Sequence, residues 1–300
     1  MEVFVTGATG FIGSAVVREL VGAGHEVVGL ARSDASANAL AGAGAGVHRG
    51  SLDDPASLRA GAAAADGVIH TAFTNVSPTT DFVAACQADA AAISALGAGL
   101  EGSGKPLVIT SGTGLVNVPG RAATEDDPAN WGPRVAGEET ALALAGKGVR
   151  VSIARLSLSV HDGHADRRGF IPGLISLARE KGASACIGDG ANRWTGVHRL
   201  DAARLFRLAL ESAPAGAKLH GVGDEGIPFA AIAGAIGAGL ALPVTSISAA
   251  EAEAYFGFLA AFVALDNPTS NELTRELLGW QPEHPGLLED IESGGYLRAA

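Results

Sequence analysis

Hydrophobic and polar positions in the first half of the chain alternate between two patterns. Short runs rich in β-branched residues predict strands, whereas longer stretches with apolar residues at helical spacing predict helices. The predicted strands cover residues 2–6, 26–31, 46–48, 67–71, 106–111 and 150–156. The predicted helices cover residues 11–23, 55–62, 81–99 and 133–145. Strand followed by helix, repeated this often, predicts right-handed crossovers and therefore an α/β fold with a doubly wound parallel sheet.

Beyond residue 156 the alternation becomes less regular, and longer loops separate the predicted elements. Helices are predicted at residues 170–181, 200–211, 228–240, 249–264 and 270–278, and strands at residues 185–187, 194–197, 219–222 and 244–247. No fixed period repeats, and no linker rich in Pro or Ser divides the chain. We therefore expect a sheet domain at residues 1–156 and a smaller, partly interleaved portion at residues 157–300.

Composition and charge exclude several classes of protein. The 300 residues are 47% hydrophobic, which is enough for a substantial core and excludes an intrinsically disordered chain. The net charge of −11 argues against nucleic acid or an anionic membrane surface as the main partner. Apolar stretches such as residues 230–242 and 256–265 are shorter than the roughly 20 residues of a membrane span. The expected partner is therefore a small-molecule substrate.

The two cysteines, Cys86 and Cys186, are far apart in the chain, so neither a disulfide framework nor a zinc site is expected. No metal is predicted. The chain opens directly on a strand pattern, without the basic and apolar segments of a signal peptide. We expect a cytoplasmic protein with reduced thiols.

Three glycines at the start of the chain carry the clearest chemical signal. Gly7, Gly10 and Gly13 stand at three-residue spacing between the first predicted strand and the first predicted helix. A dinucleotide pyrophosphate needs bare backbone beside it and the N–H groups of a helix start aimed at it. In this arrangement Gly7 allows the turn, Gly10 admits the phosphates and Gly13 lets helix and strand pack closely. The motif predicts a dinucleotide site, against the alternative of a purely structural glycine turn.

The end of the second predicted strand indicates which dinucleotide is bound. A site for NAD usually places Asp or Glu there, on the adenosine ribose. This chain has Arg32 followed by Ser33, and a guanidinium beside a hydroxyl suits the 2′-phosphate of NADP. NADP, or NADPH, is therefore the favoured cofactor. In the less favoured alternative, Arg32 is a solvated residue and Asp34 holds the ribose of NAD.

The segments TGATGFIG, ARS, DGVIHTAF, PLVITSGTG and VRVSIARLSLSV follow one another in an order that is typical of one superfamily. The chain resembles the extended and atypical short-chain dehydrogenases/reductases, which include nucleotide-sugar epimerases, dehydratases and ketone reductases. The resemblance covers most of the chain and implies a Rossmann fold with a C-terminal portion that caps the substrate. At family level it also implies a possible homodimer.

The resemblance assigns cofactor-binding residues. In relatives the glycine motif cradles the pyrophosphate, the end of the second strand contacts the adenosine, and the segment after the fourth strand passes beside it. The segment 156–160, which starts at the end of the sixth strand, lies where relatives bind the nicotinamide amide. Ser51 stands where relatives commonly have an Asp that contacts adenine. The implied residues are Gly7, Ala8, Gly10, Phe11, Ile12, Gly13, Arg32, Ser33, Ser51, Thr71, Ala72, Phe73 and Leu156.

The proton-transfer pair of this superfamily is missing from the chain. Its reductases use a Tyr followed four residues later by a Lys, but Leu259 follows Tyr255 at that spacing and Ala300 follows Tyr296. Alignment of the helix that carries the pair places Asn130 at the Tyr position and Arg134 at the Lys position. Arg134 keeps the positive charge but does not titrate, and Asn130 has no mobile proton to donate.

Other candidates for the chemistry come from neighbouring loops. Ser111 matches the hydroxyl residue that polarises the substrate in relatives, with Thr113 as the second choice. His161 and His164 follow the sixth strand, and a histidine there could supply a proton, although ordinary polar loop residues are the favoured interpretation. His70 is more typical of a structural histidine. The candidates for substrate contact are Trp131, His164, Arg193 and Trp194.

Three functions remain open on the sequence alone. The first is an NADP-dependent oxidoreductase that reduces a carbonyl, or an imine or activated alkene, of a small organic molecule. The second is a sensor or scaffold that binds NADP without catalysis, because the Tyr and Lys are absent. The third, a nucleotide-sugar epimerase or dehydratase, is the least favoured, since its chemistry begins with oxidation that uses the same Tyr.

Overall fold

The structure is a computed structural model that describes residues 1–74 and 79–297. Twelve strands are assigned in these residues. They are β1 Glu2–Thr6, β2 Glu26–Ala31, β3 Gly46–Arg49, β4 Gly67–His70, β5 Pro106–Gly112, β6 Arg150–Leu156, β7 Ser159–His161, β8 Ser184–Ile187, β9 Arg193–His198, β10 Ala217–Gly221, β11 Asp224–Pro228 and β12 Val244–Ile247.

Twelve α-helices are assigned in the same part of the chain. They are α1 Phe11–Gly22, α2 Asp34–Gly42, α3 Pro55–Ala64, α4 Phe82–Leu100, α5 Val135–Ala145, α6 Phe170–Lys181, α7 Arg199–Ser212, α8 Phe229–Leu240, α9 Ala252–Phe256, α10 Ala260–Val263, α11 Glu272–Leu278 and α12 Leu287–Glu292. Short 3-10 helices at Thr113–Leu115, Ala249–Glu251 and Gly257–Leu259 complete the set.

Seven parallel strands form the central sheet in the order β10-β6-β5-β4-β1-β2-β3. The chain runs outward in one direction from β1 to β3 and then crosses to the other side of β1 to build β4, β5 and β6. The reversal of strand order therefore falls between β1 and β4, and ligands of open α/β sheets bind at the carboxyl ends of the strands at such a point. The predicted doubly wound parallel sheet, a Rossmann fold, is confirmed.

Helices cover both faces of this sheet. One core contains residues of α1, α2 and α7, and the opposite core contains residues of α3, α4 and α5. Strand β1 shows the alternation that feeds both cores, because Val3 and Val5 belong to the first and Phe4 to the second. All three side chains are buried, as expected for a central parallel strand.

Residues after 157 build a third core and also contribute to the central sheet. The third core lies among α6, α8, α9 and α12 and includes Trp194 and Phe229. Strand β10 pairs with β6 at the edge of the central sheet, α7 packs on that sheet, and Trp280 is fully buried in the first core. The division at residue 156 stays a prediction, but the two portions share both sheet and core.

Helix α4 is long and apolar enough to cross a membrane by length and composition, with 19 residues and a mean hydropathy of 1.4. It packs against α3 and α5 on the central sheet, and its buried residues include Ile93, Leu96 and Leu100. Such a buried helix is common in the core of α/β proteins, so this one is weak evidence for a membrane span.

Most predicted elements are present, with ends that differ by a few residues. The bounds of β1, β2, β6, α6 and β12 match those predicted, whereas α2, β7, β11 and α12 were missed. The single helix predicted at residues 249–264 is wrong. It is divided into α9 and α10 with 3-10 turns, because Gly257 adopts a positive φ of +57° that ends α9.

Candidate active site

The glycine turn after β1 has the geometry that a dinucleotide requires. Gly7 has φ +67°, and a Cβ atom on it would lie 2.6 Å from the backbone nitrogen of Ala72. A Cβ atom on Gly13 would lie 2.1 Å from the carbonyl oxygen of Gly7, so helix α1 packs directly on the turn. Gly10 caps α1 without a side chain, which leaves the N–H groups of Phe11 and Ile12 at the open start of the helix.

A cleft of about 410 Å³ opens beside this turn at the carboxyl edge of the sheet. It runs across the ends of β1 and β2 and along one side of α4. Five of the predicted cofactor residues line it, and these are Gly7, Arg32, Ser51, Ala72 and Phe73. The volume lies within the usual range for small-molecule sites. Ala8 is buried beneath the turn, and Leu156 is buried at the carboxyl end of β6, level with Gly112 of β5.

Arg32, which directly follows β2, lines the same cleft as the glycine turn. Its guanidinium is exposed and forms no hydrogen bond or ion pair with any residue that the structure describes. Ser33 caps α2 by accepting a hydrogen bond from the N–H of Ser36, which also lines the cleft. Asp34, the alternative ribose ligand, forms an exposed ion pair with Arg49 at 2.6 Å. A positive side chain is therefore available in the cleft, and Asp34, two positions after it, is paired.

Asp53 is a cleft residue that the sequence analysis missed. It stands two positions after Ser51, whose hydroxyl accepts a hydrogen bond from the Asp53 N–H and lies 3.4 Å from its carboxylate. Both residues line the cleft, so this turn presents a hydroxyl and a carboxylate to it. Thr71 donates its hydroxyl to the carbonyl of Thr6, which ties the segment after β4 to the end of β1.

A buried chain of polar groups runs from β1 to the start of α5. His70 contacts the hydroxyl of Thr6 through Nδ1 at 2.6 Å and the carboxylate of Asp89 through Nε2 at 3.1 Å. Since a carboxylate only accepts, Nε2 carries the proton toward Asp89. The other carboxylate oxygen lies 3.9 Å from Nε of Arg134. His70 therefore has a hydrogen-bond partner at each ring nitrogen, and Asp89 joins it to Arg134, the residue at the Lys position.

Arg134 directly precedes α5, and its side chain has contacts on three sides. It donates to the carbonyl of Thr110 at 3.2 Å, and its guanidinium carbon lies 4.1 Å from the centre of the Phe73 ring. Its Nε is buried and has no hydrogen-bond partner among the described residues. Burial lowers the pKa of the guanidinium while the charge of Asp89 raises it, and an arginine in this position stays protonated.

The side chain of Ser111 lies in a buried network of charged groups and does not face an open pocket. Its hydroxyl donates to Glu138 at 2.6 Å, and Glu138 accepts hydrogen bonds from the guanidinium of Arg155 at 2.7 and 2.9 Å. Arg155 also donates to the carbonyl of Asp127. The three side chains of Ser111, Glu138 and Arg155 are buried, and the proton of the serine hydroxyl is directed at the carboxylate. Neither Glu138 nor Arg155 was predicted to belong to the site.

Thr113 is likewise bound by other side chains. Its hydroxyl donates to the side-chain oxygen of Asn267 at 2.8 Å and lies 3.2 Å from the hydroxyl of Thr195. Thr113 and Thr195 are fully buried, and Thr195 accepts a hydrogen bond from the N–H of Leu158. This cluster fastens the loop after β5 to β9 and to the C-terminal portion.

Asn130 and Trp131 lie on the outer loop that precedes α5. The side-chain amide of Asn130 accepts from the N–H of Asn117 and donates to its carbonyl, each at 3.0 Å. Both polar groups of the amide therefore brace the neighbouring loop. Trp131 is exposed, with 44% of its surface accessible.

The two histidines after β6 differ in their surroundings. His161 is fully buried, and its Nδ1 donates to Asp290 at 2.8 Å. Burial tends to raise the pKa of Asp290, but the hydrogen bond and charge of His161, with the N–H of Gly163, bring it below the ordinary value. His164 is exposed on the following loop. Of the two histidines, only His164 is therefore in contact with solvent.

Arg193 and Trp194 both begin β9 but have different environments. Arg193 forms a paired hydrogen bond with Asp266 at 2.8 and 2.9 Å on the surface. Trp194 is fully buried in the third core, where its ring contacts Phe170 and Phe229 edge to face. The structure therefore gives Trp194, a predicted candidate for substrate contact, a packing environment in the third core.

Comparison with known proteins finds one matching family model and three relatives. Residues 3–91 match the model of the NAD dependent epimerase/dehydratase family. The chain is 49% identical to an uncharacterized protein of Schizosaccharomyces pombe over 298 residues, which cover 99% of this chain and all of the relative. It is 46% identical to an uncharacterized protein of Saccharomyces cerevisiae over 298 residues, or 98% of each chain. A 2-alkyl-3-oxoalkanoate reductase of Stenotrophomonas maltophilia is 29% identical over 244 residues, which cover 74% of this chain and 68% of that protein.

Solved structures of the same superfamily share the fold. The dTDP-glucose 4,6-dehydratase DesIV of Streptomyces venezuelae, solved with NAD, has a TM-score of 0.77 at 19% identity, with 98% of this chain and 97% of that chain covered. MoeE5 in complex with UDP-glucose and NAD has a TM-score of 0.76 at 22% identity, with 99% of both chains covered. Residues 3–91 therefore match the NAD dependent epimerase/dehydratase family, and the chain as a whole has the fold of these enzymes.

Proposed function

We propose that the protein is an NADPH-dependent oxidoreductase that reduces a carbonyl, or an imine or activated alkene, of a small organic molecule. The observation that carries the proposal is the cleft, which both the glycine turn and the exposed guanidinium of Arg32 line. The reductase among the relatives, named for a 3-oxo acid, supports ketone reduction over the sugar chemistry of the structural neighbours.

The residues of the cleft fit the cofactor. Gly7 and Gly13 leave no room for a Cβ atom, as expected for the tight turn and the close helix packing of this motif, and Gly10 leaves the start of α1 bare for a pyrophosphate. Arg32 and Ser36 would hold the 2′-phosphate, and Asp53 would accept from the adenine amino group. NADPH supplies the hydride when it is bound.

Arg134 takes over the electrostatic part of the missing Tyr and Lys. It keeps a fixed positive charge beside the ring of Phe73, which lines the cleft, and Asp89 and Thr110 hold the guanidinium in place. A cation in this position stabilises negative charge on a ribose hydroxyl or on the developing alkoxide. Because arginine does not titrate, the proton must come from water or from the exposed His164.

The first experiment follows NADPH consumption at 340 nm across a panel of ketones, aldehydes, imines and enones. Turnover that falls by about 100-fold or more in Arg134→Ala, but less in Arg134→Lys, is the expected result. Thermal unfolding of both variants separates a loss of chemistry from a loss of folding. Equal turnover by the wild type and by Arg134→Ala would remove Arg134 from the mechanism.

A second candidate function is a sensor that binds NADP without catalysis. The specific observation in its favour is that the hydroxyls of Ser111 and Thr113 both donate to buried acceptors, so neither has its proton free for a substrate. This alternative predicts tight NADP binding with no turnover on any member of the panel. The epimerase or dehydratase reaction stays the least favoured, since the chain contains no Tyr-x-x-x-Lys.

A further inference from the structure

A second, larger groove lies outside the cofactor cleft, in the C-terminal portion. It has a volume of about 1000 Å³ and runs between the outer face of α6 and the turn formed by residues 254–259. On the α6 side the residues next to the groove include Gly169, Gly173 and Ser176, whose small size keeps the helix away from the opposite wall. Nothing in the mechanism above uses this space.

The charge of the groove is opposite to that of the whole protein. Arg167, Arg168 and Lys181 line it, and no Asp or Glu does so among the residues that the structure describes. The chain as a whole carries 32 acidic and 21 basic residues. A purely cationic lining in such a chain indicates an anionic ligand.

The cations are not equally available. Arg168 is exposed, and its guanidinium has no hydrogen bond or ion pair with any described residue. Among the described residues, the Arg167 guanidinium donates only to the backbone carbonyl of His164, whereas Lys181 is paired with Glu180 at 3.4 Å. The two arginines stand just before the first turn of α6, where the helix dipole adds to their positive potential. The anion-binding end of the groove is therefore the end at Arg167 and Arg168.

The remainder of the lining is apolar and aromatic. Phe170 and Leu177 contribute from α6, and Tyr255, Phe258 and Leu259 contribute from the opposite wall. Phe258 has 45% of its surface accessible, which is unusual for a phenylalanine that has no other partner to cover it. Helix α6 has 12 residues and is therefore about 18 Å long, enough for an extended chain of about ten carbons.

We infer that this groove binds an amphipathic organic anion, a carboxylate on a medium-length alkyl chain. The carboxylate pairs with the guanidinium of Arg168, with Arg167 beside it, and the chain lies over Phe170 and Phe258 toward Lys181. The planar fork of an arginine matches a carboxylate, and the aromatic wall removes the chain from water. The site is separate from the cofactor cleft and does not depend on the proposed reduction.

The test is titration calorimetry of the intact protein with decanoate, kept below its aggregation concentration, and with 1-decanol and acetate as comparison ligands. Decanoate should bind at least about 10-fold more tightly than either, since one lacks the charge and the other the chain. Arg168→Gln should weaken decanoate binding by about 10-fold, and Phe258→Ser by about 5-fold. Both variants should bind NADPH as the wild type does, which shows that they are folded.

Arg179→Gln is the matched control, because Arg179 lies on the same helix but donates to the carbonyl of Leu297 instead of lining the groove. It should leave decanoate binding unchanged. Decanoate affinity equal in the wild type and in Arg168→Gln would overturn the proposal, as would decanol binding as tightly as decanoate. A wild type that binds NADPH but not decanoate, or that buries this face in a dimer, would overturn it too.

Discussion

Ser111, Glu138 and Arg155 form a buried chain in which each polar group satisfies the next. The hydroxyl donates at 2.6 Å to a carboxylate that a guanidinium also contacts, and all three side chains are buried. Removal of one member leaves a buried polar or charged group without its partner. At the scale of the residue, the hydroxyl therefore contributes to folding whether or not it also contacts a substrate.

We expect Ser111→Ala to lower the free energy of unfolding by about 1–3 kcal/mol, because the buried carboxylate of Glu138 loses the hydrogen bond that the Ser111 hydroxyl donates to it. Urea unfolding measures this change, and Ser212→Ala on the exposed end of α7 is the control, with an expected change within about 0.5 kcal/mol. If Ser111→Ala is as stable as the wild type yet loses turnover, then the hydroxyl serves the chemistry and not the network.

His220 gives the fold a dependence on pH. Its ring is buried, and burial lowers its pKa from 6.5 to about 4, against the opposing hydrogen bond to the carbonyl of Ser270. The unfolded chain therefore binds more protons than the native protein between pH 6.5 and about 4, so stability falls as the pH falls through that range.

From pH 7.5 to pH 5, His220 should account for a loss of about 2 kcal/mol in the free energy of unfolding. The His220→Asn variant can keep the hydrogen bond to the Ser270 carbonyl. Its free energy of unfolding should fall by about 2 kcal/mol less than that of the wild type over the same pH interval. Urea titrations of both proteins at the two pH values give the difference. Parallel losses in both proteins would mean that the buried histidine does not govern acid sensitivity.

At the scale of the element, β1, the glycine turn and α1 form the part of the protein that the sequence predicted best. Local signals suffice there, because an apolar strand, three glycines at fixed spacing and an amphipathic helix follow one another within 22 residues. The closest approach within this unit is that of Gly13 to the carbonyl of Gly7.

We expect Gly13→Ala to weaken NADPH binding by at least about 10-fold and to cost about 1–3 kcal/mol in stability, because the new Cβ atom would lie 2.1 Å from the Gly7 carbonyl oxygen. Gly22→Ala is the control on the same helix, where a Cβ atom meets nothing within 4 Å. It should leave binding unchanged and be neutral or stabilising by up to about 1 kcal/mol. The same binding loss in both variants would contradict the packing argument.

The elements that the sequence did not predict have weak local signals. Helix α2 has nine residues and only two buried side chains, Ala37 and Leu40. Strand β7 has three residues and is fixed by its pairing with β9, and β11 is irregular where it pairs with the same strand. Tertiary contacts, rather than periodicity, decide these pieces.

The site residues that were missed have a similar explanation. Asp89, Glu138 and Arg155 each stand in a segment that is otherwise largely apolar, and an isolated charge on the inner face of a predicted helix or strand is a usable signal for a buried network. Their partners, however, lie on other strands and helices that are distant in the sequence. The sequence can therefore indicate that such a residue needs a partner, but not which residue supplies it.

At the scale of the whole molecule, the two halves of the chain complete one another. Strand β10 adds an edge to the central sheet beside β6, α7 covers one of its faces, and Trp280 fills the core beneath. Arg199, at the start of α7, donates to the carbonyl of Phe11, the first residue of α1, and pairs with Asp162 at 2.9 Å. The C-terminal half thereby helps to support the cofactor site.

A fragment of residues 1–156 should therefore fail to fold alone, since it exposes the sheet face that α7 covers and the edge that β10 covers. Circular dichroism and amide proton dispersion of the fragment check this, with the full chain as the reference. The full chain should unfold in a single transition that NADPH shifts as a whole. A folded, NADPH-binding fragment would show instead that the first 156 residues are an independent domain.

The central claim is that this cleft selects NADPH through Arg32, and the affinity ratio for NADPH and NADH tests it most directly. Calorimetry should give NADPH at least about 10-fold tighter binding than NADH in the wild type. The ratio should fall close to one in Arg32→Gln and stay unchanged in Arg59→Gln, because Arg59 is exposed on α3 and does not line the cleft. NADH binding as tight as NADPH, or a ratio that Arg32→Gln leaves intact, would contradict the account.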